Sequence, residues 1–202
     1  MTTKASLTQQ VGHLHDIDEN VKTLRHLHFV QSLEPLQGGG LGRAAFELHE
    51  SFLSRKYRSL LVTTSRDNTP QLLPKTREFR RILPDKAFFS PSLAKEADEL
   101  LSTADVVHGH GFYVGTNWLF GRKSRMYGKP LVYHPHGFFE PWVLQRSRWK
   151  KRLAHLLFEN KNFRSVCLWR ALTPKEADQI REQGISTEIV VAPNGIRLDP
   201  FD

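Results

Sequence analysis

Short apolar runs alternate with longer amphipathic stretches along the chain. The runs are a few residues long and bounded by Gly, Pro or charged residues, which is typical of buried strands. We assign seven of them as strands: 24–31, 59–64, 79–83, 105–108, 130–136, 166–172 and 188–192. Between the runs, apolar residues recur at helical spacing, as in the stripe of Leu41, Ala45 and Leu48. This alternation predicts an α/β fold: a doubly wound, Rossmann-like parallel sheet of about six or seven strands with helices on both faces.

Two of these strands end in the same His-Gly pattern. One continues into His108-Gly109-His110-Gly111 and the other into His134-Pro135-His136-Gly137. Because ligands bind at the carboxyl ends of parallel strands, we expect both ends to line one cleft. Side chains alternate along a strand, so the four histidines share a face. The two earlier ones lie deeper in the sheet and are expected to be structural.

A glycine run at 37–42 supplies a third segment of this cleft. Glycine lets the backbone approach a ligand, and the free N–H groups of a first helical turn favour an anion. The fingerprint G-x-G-x-x-G does not fit, because its sixth position is Arg43, and no Gly-Lys-Ser/Thr follows. Two interpretations stay open: a plain connection, or a phosphate or sugar loop around Gly39 and Gly40 that belongs to neither nucleotide class.

Length and composition fit a single domain. The 202 residues, 39% of them hydrophobic, suffice for a core, and we expect it to span 24–196 after a polar arm at 1–23. One cysteine, Cys167, excludes a disulfide framework and a Cys-based metal cluster. We see no signal peptide, and no apolar run approaches the roughly 20 residues of a membrane span. These features predict a cytoplasmic protein.

The net charge of +8 is concentrated in one part of the chain. Residues 122–152 hold nine Lys or Arg and one acid, Glu140. A local basic surface favours an anionic partner, and the basic helix at Arg146–Arg152 suggests peripheral contact with an anionic membrane. The alternative is a helix that covers the sheet with solvated charges. Since no nucleic-acid-binding motif is present, we expect no nucleic acid as a partner.

The order of several short motifs resembles the N-terminal domain of family 4 glycosyltransferases, retaining enzymes of the GT-B fold. The matching segments are Gly39-Gly40, Asp105–Gly111, Gly128–Val132, His136–Trp142, Thr173–Glu176 and Pro193–Ile196. Each motif alone is weak, whereas their order and spacing over about 25–196 make the resemblance fairly specific.

The resemblance implies that this domain binds the acceptor and that a second Rossmann-like domain holds a nucleotide-sugar. It places Gly39 and Gly40 near the donor phosphates and acceptor, and His136 against the transferred sugar. Asn194 and Gly195 would lead toward the second domain, with 197–202 opening the linker. We therefore expect hexosyl transfer to a sugar, lipid-linked or phosphorylated acceptor, with this chain the acceptor half, inactive alone, as a fragment or one subunit of a split enzyme.

Side-chain chemistry adds roles for the candidate residues. His136, as the catalytic candidate, would hydrogen-bond the sugar and stabilise developing charge, and His110 is an acceptor-side candidate. Glu140 would either receive a proton from the acceptor or start the following helix. We expect no cofactor beyond the nucleotide-sugar co-substrate and no metal, because the histidines lack a nearby carboxylate other than Glu140.

Two other functions remain alternatives. A non-catalytic module that binds sugars or anions is the closer one. A nucleotide-dependent oxidoreductase is disfavoured, because the fingerprint and the acidic residue after a second strand are missing.

Overall fold

The computed structural model describes residues 20–66, 73–82, 88–145 and 159–195. The strands are β1 (Arg25–Phe29), β2 (Arg58–Ser65), β3 (Thr76–Arg80), β4 (Val106–His110), β5 (Leu131–His134), β6 (Leu168–Ala171) and β7 (Glu188–Val191). The helices are α1 (Pro35–Ser54), α2 (Pro91–Thr103), α3 (Gly115–Met126), α4 (Pro141–Gln145), α5 (Asn160–Ser165) and α6 (Pro174–Glu182).

All seven strands form one parallel sheet in the order β3-β2-β1-β4-β5-β6-β7. The predicted doubly wound sheet with helices on both faces is therefore confirmed. The order reverses between β1 and β4, where α/β sheets open a crevice at the carboxyl ends of their strands.

The two faces of the sheet differ in chemistry. One face carries Leu27, Phe29, Tyr133 and Trp169, which are fully buried in the main hydrophobic core with residues of α2, α3, α5 and α6. The opposite face of β1, β4 and β5 carries histidines, and α1 packs over it through Phe52. The main hydrophobic core therefore lies on the apolar face of the sheet.

The observed strands differ from the predicted ones by one to three residues at one or both ends, and two boundaries have a structural reason or consequence. Helix α1 begins at Pro35, before the glycine run, because proline suits a first helical turn. Strand β3 runs from Thr76 to Arg80, three residues earlier at both ends than predicted, and the Arg81 side chain that follows it pairs with Glu34.

Several predicted segments lie wholly or partly outside the described residues. The basic helix Arg146–Arg152, the linker 197–202 and residues 1–19 of the arm are outside them. Residues 20–23 form a helical turn directly before β1. Within the described ranges, no helix is long and apolar enough to cross a membrane.

Candidate functional site

Three segments meet at the switch point of the sheet. The Gly111 N–H donates to the His134 carbonyl at 3.1 Å, which joins the turn after β4 to the end of β5. A Cβ atom on Gly111 would lie 2.8 Å from Leu41 Cδ2 and 3.4 Å from the Phe138 ring. The start of α1 and the turns after β4 and β5 therefore meet around Gly111, where the left-handed backbone with φ 73° favours glycine.

The glycine run has two kinds of glycine. Gly38 and Gly42 are buried against the Ser32 carbonyl, and a Cβ atom there would come within 2.2 Å and 2.5 Å of its oxygen. Gly39 and Gly40 are exposed with open space beside them, and Gly39 breaks the helix with φ 50° and ψ −142°. The first pair permits packing, and the second pair leaves backbone accessible to a ligand.

Six histidines form two hydrogen-bonded rows across β1, β4 and β5. The inner row is His26, His108 and His134, with Nδ1···Nε2 distances of 3.0 and 3.2 Å. The outer row, one step nearer the carboxyl ends, is His28, His110 and His136, with distances of 3.3 and 3.0 Å. The two histidines of β1 were not recognised from the sequence, although they alternate with Leu27 and Phe29.

Strand register explains how the two rows fit together. His28 is in register with His108, and His110 with His134. Their rings therefore stack, with centroids 4.3 and 4.5 Å apart and planes within 9° and 11°. The four rings His28, His108, His110 and His134 each stack on the other row and hydrogen-bond within their own.

The surroundings keep these imidazoles neutral at pH 7. Burial lowers the pKa of His108 to about 3, and burial together with the charge of Arg170 lowers that of His136 to about 4. Burial also places the pKa values of His28, His110 and His134 well below the usual value. The rows are thus a neutral polar network, half-exposed only at His136.

A strained turn presents His136. Both His136 and Gly137 have left-handed backbones, with φ of 53° and 79°, which costs energy for a residue with a side chain. The Gly137 N–H donates to Glu176 Oε1 at 2.6 Å, and the Leu172 N–H donates to Glu176 Oε2 at 2.6 Å. Glu176 therefore holds this turn against the end of β6.

The segment Thr173–Glu176 has the T-x-x-E pattern of a capping box, which forms only in part. The Thr173 hydroxyl accepts from the Glu176 N–H at 3.1 Å, as an N-cap should. The Glu176 carboxylate is instead used by the turn after β5, which lies 39 residues earlier in the sequence.

The turn after β4 is held in a similar way. Tyr113 has a left-handed backbone with φ 63°, and its N–H donates to the buried Glu159 Oε1 at 3.0 Å. Burial raises the pKa of Glu159 to about 7. Buried carboxyl groups from later segments therefore hold both turns of the cleft. No local sequence pattern predicts the pairing of Tyr113 with Glu159 or of Gly137 with Glu176.

The remaining candidates lie around this core of the site. Glu140 immediately precedes α4, and Lys175 Nζ binds its carboxylate at 2.9 and 3.1 Å, which with Gln179 lowers its pKa. Arg170 donates to the Asn194 side chain at 3.3 Å and to the Pro193 carbonyl, which ties the Asn194–Gly195 segment to β6.

His110 is completely buried, and both of its ring nitrogens are hydrogen-bonded within the outer row. Its assignment as an acceptor-side candidate stays a prediction. Since the described residues leave no open nitrogen on His110, it reaches the cleft only through His136.

Among the described residues, His110, His134 and His136 bring nitrogens within 4.8 Å of one another. A metal ion needs ligand lone pairs that converge from the ring planes. Here the His110 ring stacks on His134 and on His136, with an angle of 27° between the ring planes of His110 and His136. His110 and His136 also share a hydrogen bond. Metal binding would require the rings to rotate and that bond to break, so the arrangement suits hydrogen bonding better.

Comparison with known proteins gives both a family and structural likenesses. The HepE protein of Anabaena, crystallised with UDP, has a TM-score of 0.61 at 18% identity, covering 86% of this chain and 44% of HepE. MurG of Acinetobacter baumannii has a TM-score of 0.50 at 14% identity, covering 87% and 47%. These likenesses show the fold, as one half of a GT-B architecture, and the chain spans less than half the length of either protein.

No curated protein matches the chain. The sequence model of Glycosyltransferase Family 4 matches residues 38–200, which include the glycine run, both His-Gly strand ends and the Pro193–Ile196 segment. Because this match covers most of the sequence, the chain belongs to glycosyltransferase family 4.

Proposed function

We propose that this chain is the acceptor-binding half of a retaining glycosyltransferase that moves a hexosyl group from a nucleotide-sugar to an acceptor hydroxyl. The observation that carries the proposal is the half-exposed His136, held in a strained turn beside the glycine run at the switch point. Residues strained in this way cluster at active sites and ligand-binding turns.

Glycosyl transfer requires stabilisation of a departing phosphate and of a sugar centre that develops positive charge. The exposed backbone at Gly39 and Gly40 allows close approach of the phosphates, at the break in α1 where its second part begins. A neutral His136 orients the sugar by a hydrogen bond and adds no positive charge near the developing cation.

The donor is held mainly by a facing second domain, on a longer chain or on a separate subunit. HepE was crystallised with UDP, so UDP-sugars are the first donors to test. On this division of labour, the 202-residue chain alone is inactive and binds donor weakly.

The test combines this chain with the second domain encoded downstream of it or beside it. Nucleotide-sugars are supplied with glycan, lipid-linked and phosphorylated acceptors, and transfer is followed by mass spectrometry. We expect His136→Ala to lower kcat/KM about 10²- to 10³-fold, the loss typical of one preorganised hydrogen bond at a reacting centre. His13→Ala, in the predicted polar arm, is the control.

Two results would contradict the proposal. Transfer that continues unchanged in His136→Ala would remove the role of this residue. Tight nucleotide-sugar binding by the 202-residue chain alone would contradict the division of labour between the halves.

A non-catalytic sugar- or anion-binding module is the second candidate function. Two carboxylates of the described cleft are engaged within the protein and not placed as a catalytic base, which favours this function. Glu140 pairs with Lys175, and Glu176 accepts from two backbone N–H groups. Glycan binding by the chain without transfer by the combined halves would support it.

Contact with an anionic membrane through Arg146–Arg152, at the inner face of a cytoplasmic membrane, is part of the same proposal. Its support is the local excess of basic residues in the sequence. Binding to vesicles that contain anionic lipids should weaken as salt rises, and it should be absent with neutral vesicles.

A further inference from the structure

The outer row permits only two arrangements of its protons. Each neutral imidazole has one N–H donor and one nitrogen acceptor. The contacts His28 Nδ1···His110 Nε2 and His110 Nδ1···His136 Nε2 each need one proton. Either all three rings carry the proton on Nδ1, or all three carry it on Nε2.

The buried end of the row distinguishes these arrangements. His28 is fully buried, and its Nε2 has no hydrogen-bond partner among the described residues. Its neighbour His49 offers no partner, because its nitrogens bind the Ser59 hydroxyl at 2.7 Å and the Pro74 carbonyl at 3.0 Å. Phe52, edge-on to His28, offers only an apolar ring.

An unpaired proton at this end would be costly. A buried N–H without an acceptor loses its hydration, whereas an unused acceptor is tolerated more often. The lone pair therefore belongs on His28 Nε2 and the proton on Nδ1. His28 then donates to His110, and His110 donates to His136 Nε2.

We infer that the buried, unpaired end of the outer row, acting through His110, fixes His136 as the Nδ1–H tautomer, so that the open ring nitrogen of His136 is a hydrogen-bond donor. His136 Nδ1 makes no hydrogen bond among the described residues, and the side chain is half-exposed. His110 is thus the positioning residue, and His136 contacts the ligand.

The role at the ligand rests on the proposed function, whereas the tautomer does not. A neutral donor recognises an acceptor atom, such as a sugar hydroxyl or ring oxygen or a phosphate oxygen. It does not remove a proton from the acceptor substrate, so His136 orients the sugar and is not the base.

Long-range 1H–15N correlation spectra of the 15N-histidine-labelled chain at pH 7.5 test the tautomer directly. The His136 signals are assigned by their loss in His136→Ala. We expect the Nδ1–H form to exceed the Nε2–H form by roughly tenfold, the ratio that corresponds to about 1.4 kcal/mol. A predominant Nε2–H form would overturn the inference, even if no transfer activity were ever found.

Two substitutions of the same kind should give opposite results. His110→Phe cuts the row, so His136 should lose its preference and populate both tautomers. His28→Phe leaves His110 Nε2 at the buried end, where the same rule keeps its lone pair unpaired, so His136 should stay Nδ1–H. An unchanged tautomer in His110→Phe, or a reversed one in His28→Phe, would refute control by the row. If a variant does not fold, the wild-type spectrum still decides.

Discussion

The inner and outer histidine rows use the same residue on the same three strands, two positions apart, yet they end differently. In the inner row, the nitrogens at the two ends, His26 Nε2 and His134 Nδ1, are both buried. The outer row is buried at His28 and half-exposed at His136. A shift of two residues toward the carboxyl ends therefore separates a structural network from one that presents a group to the cleft.

Disruption of the two rows should therefore have different consequences for the protein. A buried polar network contributes to stability only while its members remain paired, since an unpaired member loses its hydration. Substitutions in the inner row should thus mainly lower the free energy of unfolding, and substitutions in the outer row should mainly weaken ligand recognition. Three predictions test this division, from the largest expected effect to the smallest.

The largest effect concerns pH and the centre of the inner row. Burial lowers the pKa of His108 from 6.5 to about 3. Between these values the unfolded chain binds more protons than the folded one, so this contribution to stability is lost as pH falls below 6.5. By pH 4 the loss from His108 alone is on the order of 3 kcal/mol. His108→Gln should therefore be less stable than the wild type at pH 7.5, with most of this deficit gone at pH 4.5, measured by urea unfolding.

Glu159→Gln provides a control of opposite sign. Burial raises the pKa of Glu159 from 4.5 to about 7, so between these values the unfolded chain ionises first and the folded state loses stability as pH rises. Relative to the wild type, Glu159→Gln should gain stability with rising pH, whereas His108→Gln gains with falling pH. If both variants showed the same pH trend in stability, net charge would explain it, and the role of His108 would be contradicted.

The second prediction concerns the support of the outer row. Glu176→Gln keeps one acceptor oxygen and places an NH2 group opposite the other backbone N–H, so one of the two hydrogen bonds at Gly137 and Leu172 is lost. We expect roughly a tenfold loss of transfer by the combined halves, equivalent to about 1.4 kcal/mol.

Spectra separate this effect from a general loss of structure. The His136 ring signals should shift in Glu176→Gln, while those of His108 in the inner row stay in place. Glu182→Gln, at an exposed position of the same helix, is the matched control. Equal shifts in both rows would show that Glu176 supports the whole sheet and not the turn alone.

The sequence predicts the sheet and part of the site for identifiable reasons. Hydrophobic periodicity and the His-Gly strand ends are local patterns, so they locate the strands, the helices and His136. The pairings of Glu176 with Gly137 and of Glu159 with Tyr113 join residues 39 and 46 positions apart. Such contacts depend on how helices dock on the sheet, which no local pattern encodes.

His26 and His28 illustrate a different reason for a missed feature. Their alternation with Leu27 and Phe29 is visible in the sequence, and it indicates that they lie on the face opposite the apolar core. Their meaning depends on β4 pairing with β1, and a parallel sheet can order its strands in several ways. Only the strand order shows that three histidine-bearing strands are neighbours.

The smallest effect tests whether the outer row depends on its strained turn. Gly137 and Gly128 have left-handed φ of 79° and 60°, and a Cβ atom on either would meet no other atom within 4 Å. Alanine at either position should therefore cost a similar amount of stability, about 1 kcal/mol, through backbone strain alone. Gly128 follows α3, away from the His136 turn, so only Gly137→Ala should also alter the His136 signals and lower transfer. If Gly128→Ala lowered transfer equally at matched stability, general destabilisation would explain both, and the turn would have no separate role in presenting His136.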